Sequence, residues 1–140
     1  MGITKFVKAK HKDVIGGGNR GQMTISYVDL VKAFGKPNDC TKEGPWRSSD
    51  NKVRAEWAFK TVVKGKPIVL TIYDYKQYDA PVEQVTEWSI GGKGDIDIAA
   101  SFLAMKLALY CLKAHRVILI AEYKTLGKRI LMSNAPLHES

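Results

Sequence analysis

The stretch Glu87–Leu112, "EWSIGGKGDIDIAASFLAMKLALYCL", decides the fold, because it passes from a strand-like piece through three glycines and a lysine into a long apolar segment. Trp88 and Ile90 alternate with Glu87 and Ser89, the period of a half-buried strand. Beyond Lys93, Asp95 or Asp97 supplies a helix cap, and Ile98, Phe102, Met105, Leu109 and Leu112 recur at three and four residues. Leu103, Leu107, Ala108 and Tyr110 widen that stripe, which predicts a central helix lying across a sheet. The glycines between them have two readings. Gly91, Gly92 and Gly94 let the backbone approach an oxyanion at the positive end of the helix, with Lys93 adding a full charge. Asp95 and Asp97 compete for the same amides, so a capped corner is the simpler reading. The lysine followed by serine or threonine of a P-loop is absent, as is the spaced glycine fingerprint of dinucleotide sites.

Upstream, "AEWAFKTVV" (55–63) sets Ala55, Trp57, Phe59 and Val63 on one face against Glu56 and Lys60 on the other. "KGKP" turns the chain into "IVLTIYDYK" (68–76), where Ile68, Leu70 and Ile72 alternate with Val69, Thr71, Tyr73 and Tyr75. With "TEWSI" (86–90) this makes three antiparallel strands. "TISYVDLVKAFGKP" (24–37) reads as a short helix, capped by Ser26, favoured by Asp29 in its first turn and stopped by Gly35 and Pro37. "ITKFVKAK" (3–10) reads as a lysine-guarded edge strand and "DVIGGGNRGQ" (13–22) as a flexible loop centred on residues 16–21 or a wide hairpin. "NDCTKEGPWRSSDNK" (38–52) reads as a surface connection, "RVILIAEY" and "KRILMS" as a second hairpin, and residues 134–140 as a frayed tail. The expected architecture is a single α+β domain over 1–140, an antiparallel sheet packed against one long and one short helix in the order β-α-β-β-β-α-β-β.

With 140 residues the chain is long enough to bury one core without staples. The bulk property that bears most on function is charge: 22 Lys and Arg against 14 Asp and Glu leave +8. Such a field favours anionic partners, whether nucleotides, nucleic acid or an acidic protein surface, and equally serves plain solubility. No apolar run is long enough to span a bilayer, and two cysteines with no leader-like segment point to a reduced, cytoplasmic setting. The three histidines stand far apart and Cys111 lies in the apolar helix, so neither a metal site nor a cysteine nucleophile is expected. Asp74, Asp79 and Glu87 would form a carboxylate cluster only in one particular register. A catalytic role is not expected, and no cofactor is implied.

The ligand-binding candidates are therefore Arg20, Lys93, Arg47 and Lys60 for phosphates, Gly91 and Gly92 for close backbone approach, and Trp46, Tyr73 and Tyr75 for stacking against a base. "GQMTISYVDLVKAFGKP", "LTIYDYK" and "TEWSIGGK", over about half the chain, together resemble a pattern in small proteins of tailed bacteriophages. Ser89 stands where that pattern often has histidine, so a histidine-dependent role does not carry over. The resemblance implies a phage protein that antagonises host defence from the cytoplasm of the infected cell by binding. Its target would be a nucleotide-derived signal or, alternatively, a host nuclease or nucleic-acid complex on which it docks. Nonspecific nucleic-acid binding and self-association stay open beside these.

Overall fold

The computed structural model describes residues 5–38, 55–75, 81–114, 118–123 and 128–133. Its elements are β1 (Val7–Lys8), α1 (His11–Val14), β2 (Gly18–Thr24), α2 (Tyr27–Phe34), β3 (Glu56–Val63), β4 (Lys66–Tyr73), a 3₁₀ turn (Val82–Gln84), β5 (Glu87–Lys93), α3 (Ile96–Ala114), β6 (Ile118–Tyr123) and β7 (Lys128–Ser133). The seven strands form one sheet in the order β1-β3-β4-β5-β2-β6-β7, antiparallel at every pairing. This is the α+β architecture expected from the alternation of patterns, with two additions, α1 and β2.

β2 corrects the flexible-loop reading of residues 16–21. Gly18, Asn19 and Gly21 pair with Gly92, Gly91 and Ile90 on one side, and Gly21 pairs with Tyr123 on the other, so this glycine-rich segment is an interior strand. Only Gly16 and Gly17 turn the chain, Gly16 at φ 88°. Glycines weaken a strand in isolation. Here pairing with β5 on one side and β6 on the other holds the backbone.

The β3–β4 turn is the one "KGKP" predicts. Val63 pairs with Lys66, leaving the two-residue loop Lys64–Gly65, and both loop residues have positive φ, 53° and 76°. That geometry matches the right-handed twist of the flanking strands. Ser26 caps α2 by accepting from the Asp29 amide at 3.1 Å, and Gly35 ends the helix at φ 86°. Asp95 caps α3, its carboxylate accepting from the Ile98 amide at 3.1 Å.

Both long helices cover one face of the sheet. Met23, Trp57, Phe59, Ile68, Leu70, Ile72, Trp88 and Ile90 from the strands meet Leu30 and Phe34 of α2 and Ala99, Phe102, Leu103 and Leu107 of α3 in a single core. Trp57 stands edge-on to Trp88 with ring centroids 5.4 Å apart, and its Nε1 donates to the Gly35 carbonyl at 2.7 Å. Asp29 is buried between the helices, where it accepts from the Tyr110 hydroxyl and from Ser26 Oγ. The buried side of α3 matches the predicted stripe in part: Phe102 is buried, as are Leu103, Leu107 and Tyr110 beside it, whereas Leu109 and Leu112 are exposed and Ala99 and Cys111 face inward. No helix among the described residues is long and apolar enough to cross a membrane.

Candidate binding groove on the sheet face opposite the long helix

The opposite face of the sheet carries the candidate site. Val7 pairs with Lys60, Lys60 with Val69, and Val69 with Lys93, so these four residues stand in line across β1, β3, β4 and β5. Residues directly opposite in a sheet share a face, and Val69 alternates with Ile68 and Leu70, which belong to the core on the other side. Lys60 and Lys93 are thus two strands apart, about 10 Å between backbones. Around this row lies a cavity of about 530 Å³ lined by Lys5, Val7, Lys12, Asp13, Lys60, Thr61, Val62, Pro67, Val69 and Lys93. Its volume is that of a small-ligand site, and its lining combines three valines and a proline with four lysines.

One carboxylate interrupts that positive lining. Asp13 pairs with Lys60 at 3.0 Å and accepts from the Lys10 amide at 2.7 Å. The amide bond first, and then Lys60, hold the Asp13 carboxyl below the usual carboxylate range. Lys93 donates to the Ile15 carbonyl at 2.9 Å. Both lysines of the row are therefore engaged by the segment that carries α1. Val14 fixes that segment to the sheet by packing on Ala9 and Ala58.

Past α1 lies a second cavity of about 120 Å³, lined by Val14, Gly17, Gly18, Glu56, Thr71, Tyr73 and Gly92. Tyr73 is half-buried there and its hydroxyl accepts from Asn19 Nδ2 at 3.4 Å. Burial raises its pKa, and the bond from Asn19 opposes the shift. Tyr75 is exposed and stands edge-on to Tyr73 at 6.5 Å. Tyr73 lies four residues from Val69 on β4, about 13 Å along the strand. The tyrosines and the lysine row thus share a face but are separated by α1.

Gly91 and Gly92 are not part of a loop before a helix, which corrects that reading: both lie inside β5. A Cβ on Gly91 would meet the Gly18 carbonyl and Thr71 Oγ1 at 2.8 Å, so the glycine is required by packing against β2 and β4. Arg20 also goes elsewhere. It occupies the register shift between Asn19 and Gly21, donates to the Gly94 carbonyl at 2.9 Å and lines neither cavity. Trp46 and Arg47 lie outside the described residues. Asp74 is fully buried and accepts from the Ala55 amide at 2.8 Å, so it serves the fold, while Asp79 lies outside the described residues. Among the described residues no group of three His, Cys, Asp or Glu is placed to hold a metal ion. Cys111 is buried in α3, with its thiol pKa raised chiefly by burial, as a packing residue would be.

Lys5, Lys12 and Asp13 line the groove without having been singled out from the sequence. The signal for them was the basic run "KFVKAKHK", but which lysines converge is set by the β1–β3 pairing and by α1. Comparison with protein-family models, with curated proteins and with solved structures finds no match.

One polar pair near Arg20 has a consequence for stability. The Tyr123 hydroxyl and Arg20 Nη1 are both buried and have no hydrogen-bond partner among the described residues. Burial, partly opposed by the Arg20 charge, raises the Tyr123 pKa. An unpaired buried hydroxyl carries its desolvation cost with no return. Tyr123→Phe is therefore expected to stabilise the protein by about 1 kcal/mol, read as a higher urea midpoint with an unchanged slope.

Proposed function

We propose that this protein binds a small phosphate-bearing ligand, most simply a nucleotide, in the groove lined by Lys5, Lys12, Lys60 and Lys93. The observation that carries the reading is the convergence of lysines from four separate segments on one cavity of about 530 Å³. Four lysines and an apolar lining of valines and proline favour an anion with a compact organic body, and the net charge of +8 raises its local concentration. The role is sequestration, with no chemical step assigned to the groove. The resemblance to small phage proteins makes a nucleotide signal of host defence the fitting ligand class, met in the cytoplasm of an infected cell. Tyr73 and Tyr75 lie too far along the face for a mononucleotide whose phosphate sits between Lys60 and Lys93. They would stack only with a longer ligand that extends past α1.

The test is a thermal-shift and calorimetric series with linear and cyclic nucleotides. A bound ligand raises the melting temperature in proportion to its saturation. Lys60→Ala and Lys93→Ala are each expected to weaken binding by about tenfold or more, since a hydrogen bond to a charged group contributes roughly 1.5–3 kcal/mol. Rising salt should weaken the wild type as well. No shift with any nucleotide would refute the reading. A protein partner would then be the better one, favoured by the exposed Val7 and Val62 beside the lysines on the sheet edge.

A further inference from the structure

We propose that Asp13 and the carbonyl of Ile15 act as an internal pseudo-ligand, occupying in the free protein the two lysines that the external anion needs. This rests on the groove being the binding site, and deepens that reading by naming what controls its affinity. The two central lysines are engaged from one short segment: Lys60 by the Asp13 carboxylate at 3.0 Å and Lys93 by the Ile15 carbonyl at 2.9 Å. Both engagements are of a kind that an incoming anion can exchange. The Asp13 and Lys60 side chains are 19% and 34% exposed, so water and ligand reach the pair. Lys93 spends its charge on a neutral carbonyl, a weaker partner than any anion.

The segment does not have to leave the sheet for exchange to occur. Val14 stays packed on Ala9 and Ala58 while the side chains of Asp13 and Lys60 rotate apart. Where a larger body must enter, the following turn offers compliance, since Gly16 adopts φ 88° and a Cβ there would meet nothing. On this account Asp13 weakens every anion, through competition for Lys60 and through its own charge. The second effect grows with the ligand's charge. It leaves neutral molecules untouched.

The experiment measures adenosine 5′-monophosphate, 3′,5′-cyclic adenosine monophosphate and adenosine by calorimetry on the wild type and on Asp13→Asn. Asparagine keeps an oxygen for the Lys10 amide and removes the charge. The expected result is tightening by about two- to fivefold for the cyclic monoanion, the factor equivalent to one partly exposed ion pair. The dianion should tighten further and adenosine should not change. Tightening should shrink when Asp13→Asn is placed on Lys60→Met, because only the effect of the carboxylate's own charge is then left to remove. Should the asparagine variant fold poorly, Asp13→Ser gives the same comparison. If the wild type binds and the variants bind no tighter, or gain equally for adenosine, the pseudo-ligand is refuted and the groove survives. If no probe binds either protein, both fall together.

Discussion

Gly92→Ala is expected to abolish the stable fold. Gly92 sits inside β5 at φ 137°, a backbone conformation reserved for glycine, and a Cβ there would lie 1.9 Å from the Val69 carbonyl oxygen. The clash is with main chain of the adjacent strand, not with a side chain that can turn away. Relief would require β4 and β5 to separate where Leu70 pairs with Gly92, in the middle of the sheet. A loss of about 4 kcal/mol or more follows, a large share of what a domain of this size possesses. Circular dichroism and a urea melt of the purified variant check it. The result also separates two meanings of the glycines. If Gly92→Ala kept its fold and lost only ligand binding, the glycine would belong to the site; loss of the fold makes it a packing requirement.

Trp57→Ala is expected to cost about 3–5 kcal/mol. The side chain is fully buried and touches the molecule's other main aromatic, Trp88, edge-on, with Tyr27 at 5.9 Å. Its Nε1 donates to the carbonyl of Gly35, the residue that ends α2, so the truncation removes core volume and frees the end of a helix together. Trp57→Phe separates the two contributions: it keeps most of the volume and loses the hydrogen bond, for an expected loss nearer 1–2 kcal/mol. Equal losses for the two variants would mean that the indole bond, not the filled volume, dominates. Urea denaturation at one temperature suffices to compare them.

What could be read in advance divides along physical lines. The β3–β4 hairpin and both caps were legible because each rests on local chemistry: alternation at period two, a turn pair with positive φ, an oxygen three residues before an amide. β2 was not legible. Its "GGGNRGQ" has the composition of a loop, and only pairing with β5 on one side and β6 on the other makes it a strand. The buried side of α3 is only partly legible, for a related reason. "FLAMKLALYCL" is apolar on every side, so periodicity cannot choose a face, and contact with α2 and the sheet turns Leu103 and Leu107 inward and leaves Leu109 and Leu112 exposed.

The site divides the same way. Lys60 and Lys93 stand out in the sequence only as charged residues, and the register sets them on either side of Val69, two strands apart. Arg20 was chosen for its guanidinium, but the register shift it occupies directs it to the Gly94 carbonyl. Asp13 had no signature in the sequence, because its importance comes from a four-residue helix lying over lysines that belong to strands about 50 and 80 positions further on.

The position of β2 between β5 and β6 makes it, among the described residues, the one strand whose pairing joins the two halves of the sheet. The β3–β4–β5 meander joins through neighbouring segments, and the β6–β7 hairpin is likewise self-contained, so the ladder between them runs through residues 18–24. A ribosome delivers that bridging strand nearly a hundred residues before its last neighbour. Joining of the two halves therefore waits until residues 118–123 have been made, and a glycine-rich ribbon must hold its second edge free for them.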